Sequence, residues 1–474
     1  MNYDIILVFC PIFGVKEPPL GISYIAENLS ASGWQVCVKD LNLEFYLSNR
    51  DKQNLWETST LYDVTLPQIF KKDISRVAQE IAKSNIPLVG FSVNQHNLSV
   101  SVALARRIKE LNKTIIIIFG GPECFLKPDR DHIPLDALDY FIVGDGEIIA
   151  DKFLSNFFHK DILKEIDGVV AARDNRELIF NPKIYPSLKD LALPTFKDFE
   201  VEKYTSRSLP VIFTKGCLRN CVFCNDQSYY RPFSVVNPLN LADTLQFYNE
   251  RYGISSFSFH DQAINGDQRI LRQFLEEVIR RKMKIEWSSN IIVRENMDLN
   301  FFEMMKAAGC QSLIFGIESF SDRVLNRIKK GFTAEEAIHA LRLCKEAGIN
   351  VLINLILGFP GETEDDISQT IRSLVQNREI INKVLNLSSC IVAPNSELER
   401  RPEDFSIVLP NNHFCNWYTT DGKNTNDFRN LLVERMKIVL KDLGIPLETV
   451  NIFKDDFTYS KLDEKLMENK YSDK

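Results

Sequence analysis

Strand-like and helix-like segments alternate twice along this 474-residue chain, and the two runs are separated by a stretch, 159–206, that breaks the rhythm. Such alternation favours parallel sheets covered by helices, because a parallel strand pair needs a crossover long enough to hold a helix. In the first run Asp4–Cys10, Trp34–Lys39, Leu88–Val93, Thr114–Phe119 and Leu138–Val143 read as strands. Helical spacing covers Leu20–Ser32, Ile69–Ser84, Leu98–Leu111 and Glu147–Phe158. This predicts an α/β domain over 1–158, a doubly wound Rossmann-like sheet whose ligand sits beyond the strand C-termini.

The second run supplies six strand candidates: Pro210–Thr214, Ser255–Phe259, Ile285–Ser289, Ser312–Phe315, Asn350–Ile356 and Val384–Ser389. Helical patterns such as Leu239–Glu250, Arg269–Arg281, Glu335–Glu346 and Asp365–Gln376 fill the gaps. The expectation is a partial (β/α)6 TIM-like barrel over 207–392, with its site at the strand C-termini. Residues 159–206, with Pro182, Pro186 and Pro194, read as a linker packing across two domains. Residues 393–474 read as a small helical and irregular substrate-side segment with one clear helix, Phe428–Leu443. His413, Trp417, Tyr418 and Asn411–Asn412 are its candidates for lining a substrate pocket, although packing and turns explain each of them as well.

Composition narrows the partners. A net charge of −7 argues against a nucleic-acid ligand. The apolar runs Ile115–Phe119 and Val351–Leu357 fall far short of the ~18 residues that span a bilayer. The start Met-Asn-Tyr-Asp lacks the basic region of a signal peptide, so a cytoplasmic location is expected. Most of the ten cysteines stand in apolar contexts, as buried thiols in a reducing compartment do.

Cys217, Cys221 and Cys224 are different. They follow the first barrel strand in Phe213-Thr-Lys-Gly-Cys-Leu-Arg-Asn-Cys-Val-Phe-Cys. Three thiolates on one tight loop bind three irons of a [4Fe–4S] cubane and leave the fourth open to a substrate. Structural zinc wants four protein ligands, and the nearest further candidate in sequence is His260.

This stretch resembles the radical S-adenosylmethionine (SAM) superfamily. The resemblance places Phe223 beside the SAM adenine. Gly316-Ile-Glu-Ser is similar to the family's Gly-x-Glu-Ser segment, which implies that Glu318 and Ser319 bond the SAM ribose or amino group. Gly358-Phe-Pro-Gly-Glu-Thr resembles a turn that supports the adenine, with Pro360 and Gly361 at its centre. Arg327 and Lys330 lie where basic residues approach the SAM carboxylate. One departure stands out: where many members carry Gly-Gly-Glu, this chain has Phe259-His-Asp-Gln. Asp261 then replaces the carboxylate that binds the SAM amino group, or His260 or Asp261 faces the substrate.

The first half resembles the cobalamin-binding domain of class B radical SAM enzymes. The match rests on four loops after strands: Pro18-Pro19-Leu20-Gly21, Gly90-Phe-Ser92-Val-Asn94, Gly120-Gly121-Pro122-Glu123 and Gly144-Asp-Gly146-Glu147. Their glycines allow a large flat ligand to approach the backbone. The Asp-x-His-x-x-Gly signature is missing, since Arg130 stands two residues before His132. The resemblance therefore implies cobalamin held without a lower histidine ligand.

Together the two resemblances imply reductive cleavage of SAM to a 5′-deoxyadenosyl radical and methylation of an unactivated carbon. The substrate class is a small molecule, lipid or natural product, and the electron comes from a flavodoxin- or ferredoxin-like donor. The same architecture also serves cyclisation, oxidation or rearrangement without methyl transfer. A third reading is a non-catalytic cobalamin- or cluster-binding sensor; the SAM-side motifs argue against it.

Overall fold

The computed structural model describes residues 3–58, 63–126, 130–159, 166–172, 187–226, 232–410 and 413–451. The described residues divide into two compact units, one built on residues up to Pro210 and on Tyr248–Ile254, the other on Val211–Phe247 and residues 255–451.

The first unit is a six-stranded sheet. Its elements are β1 (Ile5–Phe9), α1 (Leu20–Ala31), β2 (Val36–Asp40), α2 (Leu41–Ser48), α3 (Lys71–Ala82), β3 (Leu88–Ser92), α4 (Leu98–Leu111), β4 (Ile116–Gly120), β5 (Tyr140–Ile142), α5 (Gly146–His159) and β6 (Val169–Ala171). The order is β2-β1-β3-β4-β5-β6, with β1 to β5 parallel and β6 antiparallel to β5. All five residues of β1 are buried, as expected of a strand covered on both faces. The chain moves from β1 outward to β2 and then back to β3, so the β1/β3 gap is the switch point where such sheets bind ligands.

The stretch read as a linker carries structure of its own where it is described. It contributes β6 to the sheet, and residues 187–206 strap onto the first unit. Asn28 bonds Ala192 both ways, Nδ2 to O at 3.0 Å and Oδ1 from N at 2.9 Å. Glu27 takes the Thr195 N–H at 3.0 Å, and the Tyr204 hydroxyl donates to Asp40. Short β-like pieces and prolines hid these contacts, which are made to residues more than 160 positions away. Pro182 and Pro186 lie outside the described residues.

The other sheet has seven strands and lies mostly in the second unit. Its elements are β7 (Ser208–Val211), α6 (Pro238–Tyr252), β8 (Ser256–Phe259), α7 (Gln268–Arg280), β9 (Glu286–Ile291), α8 (Leu299–Ala307), β10 (Cys310–Glu318), α9 (Asp322–Ile328), α10 (Ala334–Glu346), β11 (Asn350–Leu357), α11 (Glu364–Gln376), β12 (Lys383–Ser389), α12 (Asn426–Asp442) and β13 (Leu447–Asn451). The strands follow chain order across the sheet from β7 to β13, and β8 to β13 are parallel. This is the expected curled half-barrel with one strand more than the six expected. The seventh, β13, pairs with β12 through Val384 and Leu447. Its sequence, Leu-Glu-Thr-Val-Asn, alternates like a strand but is short and stands apart from the regular strand and helix rhythm that ends near residue 392.

The helices carry explicit start signals. Asp267 caps α7 by accepting from Ile270 N–H at 3.0 Å, and Leu271, Phe274, Leu275 and Val278 form its buried stripe. Thr333 with Glu336 and Thr363 with Asp366 form capping boxes on α10 and α11. Among the described residues no helix is long and apolar enough to cross a membrane.

Candidate active site

The barrel-side site is built where β7, β10 and β11 end. The cysteine loop is anchored by backbone bonds from Val222 N–H to Ile328 O and from Leu398 N–H to Val222 O, both 3.0 Å. It therefore rests on the C-terminal end of α9 and on the segment after β12. Gly216, which opens the loop, has φ 91 and donates its N–H to Gln262 Oε1 at 3.0 Å. Arg219 Nη2 donates to Val293 O at 2.7 Å, and its guanidinium packs on Gly331, whose φ of 69 favours glycine.

Cys221 is buried and Cys217 and Cys224 are half-buried. Burial pushes the Cys221 thiol up, opposed by the nearby Lys330 ammonium, and pushes Cys224 to about 12. A metal that binds them as thiolates must displace those protons, and the ammonium stabilises the resulting charge. Among the described residues no three His, Cys, Asp or Glu side chains gather as a single bound ion requires. A cubane makes a different demand, one thiolate on each of several irons. The donor set fits the cluster.

Lys330 Nζ sits 3.0 Å from Glu318 Oε1 and 5.5 Å from the centroid of the Phe223 ring. Motifs from three parts of the chain thus converge. Glu318 has φ 69 and follows a register shift between β10 and β11, which turns its side chain at the strand end. A Cβ on Gly316 would lie 2.9 Å from Glu318 Oε1 and 3.3 Å from Lys330 Nζ, so the pair occupies the space a side chain would take.

Three expected SAM contacts are engaged within the protein. Ser319 Oγ accepts from Ser321 N–H at 3.1 Å and lies 3.2 Å from Thr370 Oγ1. Arg327 Nε donates to Pro360 O at 3.2 Å, tying α9 to the turn. Asp261, expected to meet SAM or substrate, is fully buried. Its Oδ1 accepts from Phe213 N–H at 2.9 Å, from Thr214 N–H and from Thr214 Oγ1 at 3.0 Å. Burial raises its pKa to about 7 against those bonds. Motif position placed this carboxylate at the strand end; it did not show that the preceding strand's backbone would claim it. His260 is exposed, and its N–H donates to Val211 O at 2.8 Å.

The turn after β11 is held by side chains. Gly358 and Gly361 have φ 75 and 80, as glycine permits. Glu362 Oε2 accepts from Gly358 N–H at 2.5 Å, while its Oε1 is buried without a partner. From the C-terminal segment, Asn424 Nδ2 donates to Gly358 O at 2.9 Å. Trp417 is fully buried and His413 pairs with Glu399 at 2.8 Å, so both are used in packing. Tyr418 is exposed, and Asn411–Asn412 lie outside the described residues.

In the first unit all four glycine-bearing loops follow parallel strands and share the sheet's C-terminal edge. Pro19 is buried ahead of α1, its carbonyl taken by Ser23 Oγ at 2.8 Å. Leu20 is half-buried, and a Cβ on Gly21 would meet nothing within 4 Å, which leaves an open shelf. Asn94 and Ser92 are fixed by Asn97, which accepts from Asn94 N–H at 2.8 Å and donates to Ser92 O at 3.0 Å. Gly120 accepts from Val93 N–H at 2.8 Å. Gly121 has φ 103 and its Cβ would lie 2.7 Å from Val93 O, so the backbone itself forms the surface there. Pro122 is exposed and Glu123 buried. Gly144 has φ 110. Gly146 is explained by packing, since its Cβ would press on Ile25 at 3.0 Å; Glu147 is half-buried beside it. Two residues not singled out from sequence meet at the switch point: Phe13, after β1, and His96, after β3, stack edge-on at 6.2 Å. An exposed shelf lined by bare backbone suits a broad planar ligand.

Comparisons agree with both halves. Residues 12–154 match the B12 binding domain model and residues 211–374 the Radical SAM superfamily model. An uncharacterized methyltransferase of Pyrococcus horikoshii is 23% identical over 372 residues, covering 76% of this chain and 74% of the relative. The anaerobic magnesium-protoporphyrin IX monomethyl ester cyclase of Rubrivivax gelatinosus is 21% identical, covering 74% of this chain and 61% of the relative. The solved structure of the cobalamin-dependent SAM radical enzyme OxsB, with aqua-cobalamin and SAM bound, shares the fold with a TM-score of 0.70 at 17% identity, over 93% of this chain and 67% of that one. With a B12-binding domain ahead of a radical SAM domain, the chain belongs to the cobalamin-dependent radical SAM enzymes, whose cofactors are a [4Fe–4S] cluster, SAM and cobalamin.

Proposed function

We propose that this enzyme methylates an unactivated carbon of a small-molecule, lipid or natural-product substrate. The observation that carries the reading is the convergence of Phe223, Glu318 and Lys330 beside the cysteine loop. When bound, the reduced cluster and SAM supply a 5′-deoxyadenosyl radical and cobalamin supplies a methyl group.

The chain's own residues hold and orient. Cys217, Cys221 and Cys224 are the cluster ligands. Phe223 flanks the adenine, and the Gly358–Gly361 turn supports its other side. Glu318, fixed by Lys330, presents its second oxygen to the ribose or amino group of SAM. Arg327 acts through Pro360 and Ser319 through the start of α9. Asp261 is a positioning residue for the cysteine loop, since it grips the two residues that lead into it. His260 remains at the exposed strand end for substrate contact. The loops at Leu20–Gly21, Ser92–Asn94, Gly120–Glu123 and Gly144–Glu147 form the cobalamin shelf. The electron comes from a flavodoxin- or ferredoxin-like protein, and the low-potential chemistry suits a reducing cytoplasm.

The cyclase relative supports a second reading, radical ring formation without methyl transfer. Product analysis separates the two. Methylation yields S-adenosylhomocysteine together with 5′-deoxyadenosine in the presence of substrate. Turnover of substrate with 5′-deoxyadenosine alone overturns the methyltransferase reading.

A further inference from the structure

Arg429, on α12, is fully buried, yet its partners are uncharged. Nη1 donates to Asn424 Oδ1 at 2.9 Å, and Nη2 to Cys415 O at 2.5 Å and Trp417 O at 2.9 Å. Its guanidinium carbon lies 3.7 Å from the centroid of the Trp417 ring, and Nε is buried without a partner. Burial lowers its pKa to about 10, which leaves it charged at neutral pH. Taking a cation out of water without an acid beside it is costly, and an apolar side chain would fill the space more cheaply. The geometry around it shows what the charge holds in place.

Two ties run from Arg429 to the turn after β11. One is steric: a Cβ on Gly358 would lie 2.4 Å from Arg429 Cγ, so the arginine stem and the Gly358 backbone are in direct contact. The other is polar: Asn424, oriented by Arg429, donates to Gly358 O at 2.9 Å. Trp417, under the guanidinium, donates from Nε1 to Cys390 O at 3.1 Å, and Cys390 N–H bonds Leu357 O at 2.8 Å, just before the turn. From the opposite side Arg327 takes Pro360 O at 3.2 Å and Arg323 takes Gly361 O at 2.7 Å. The carbonyls of residues 358, 360 and 361 are thus all fixed by side chains.

We propose that Arg429 is a positioning residue for SAM, setting the Gly358–Gly361 turn from the C-terminal segment through Asn424 and Trp417. The inference rests on the reading of this turn as the adenine side of the SAM site. It makes the segment after the barrel part of the cofactor site.

The test uses full-length enzyme reconstituted anaerobically with iron and sulfide. SAM affinity is measured by equilibrium dialysis, and the reduced cluster is followed by electron paramagnetic resonance with and without SAM. Arg429→Met and Asn424→Ala should each weaken SAM binding about tenfold or more, while iron content and the SAM-free cluster signal stay as in wild type. Arg429→Lys should recover part of the loss. If Arg429→Met does not fold, Asn424→Ala carries the test alone, since it keeps the arginine and removes the side chain that links it to Gly358 O. SAM affinity within twofold of wild type in a cluster-loaded Asn424→Ala overturns the proposal. Wild type that holds its cluster but binds no SAM overturns the underlying reading of the site instead.

Discussion

Lys330 Nζ and Glu318 Oε1 form an ion pair at 3.0 Å with both side chains 8% exposed, beneath the space that Gly316 leaves open. Removing one member strands the other in a dry site, which typically costs about 3–5 kcal/mol. Lys330→Met should therefore lower the melting temperature clearly. The double variant Lys330→Met/Glu318→Leu should regain much of that stability, since a paired charge and an apolar pair of similar volume are close in energy. It should not regain SAM binding. Thermal unfolding and SAM dialysis on the same preparations separate the two effects.

Asp261 predicts a pH dependence. Its folded pKa, raised chiefly by burial, is about 7 against an ordinary 3.8. The folded state therefore binds a proton more tightly than the unfolded chain between those values, and this group's contribution falls as pH rises from about 4 to about 7. Asn at this position resembles the protonated acid. Asp261→Asn should gain about 1 kcal/mol relative to wild type at pH 4.5, rising to about 4 kcal/mol above pH 7, read from urea unfolding at each pH. Asp261→Ala, which frees both Phe213 and Thr214, should instead lose iron on reconstitution.

Gly121 tests the cobalamin shelf. With φ 103 and a Cβ that would lie 2.7 Å from Val93 O, Gly121→Ala is strained by about 1–3 kcal/mol and roughens the exposed backbone. The variant should lose cobalamin on gel filtration and keep its iron, as absorbance and metal analysis will report.

The lower face of cobalamin is open to spectroscopy. Arg130 stands where the missing signature needs an aspartate, and it is buried with Nη1 on Cys124 O and Phe125 O, both 2.8 Å. Enzyme-bound cob(II)alamin should show no nitrogen splitting in its paramagnetic resonance spectrum. If splitting appears, His96 is the histidine to replace, because its Nδ1 is buried without a partner at the sheet's C-terminal edge.

Local pattern made most of the architecture legible. Asp4–Cys10 and Leu98–Leu111 carry their strand and helix periods in the residues themselves, and the structure has β1 at Ile5–Phe9 and α4 at Leu98–Leu111. Contacts distant in sequence were not legible. Val169–Ala171 is strand only because Tyr140–Ile142 lies beside it, and Leu447–Asn451 only because β12 offers a free edge. In the site, motif spacing singled out Cys217, Glu318 and Pro360 as candidates but not what each side chain touches. It missed Arg429 altogether, because a lone arginine on an amphipathic helix reads as surface. The signal was Gly358, whose lack of a side chain makes room for it.

The most direct test is anaerobic reconstitution of the full chain with iron, sulfide and hydroxocobalamin, followed by reduction in the presence of SAM. Wild type should hold about four irons and close to a single cobalamin and should release methionine and 5′-deoxyadenosine. Cys221→Ala should abolish that cleavage while keeping its cobalamin. Cleavage that persists in Cys221→Ala, or wild type that retains no cobalamin, would contradict the account.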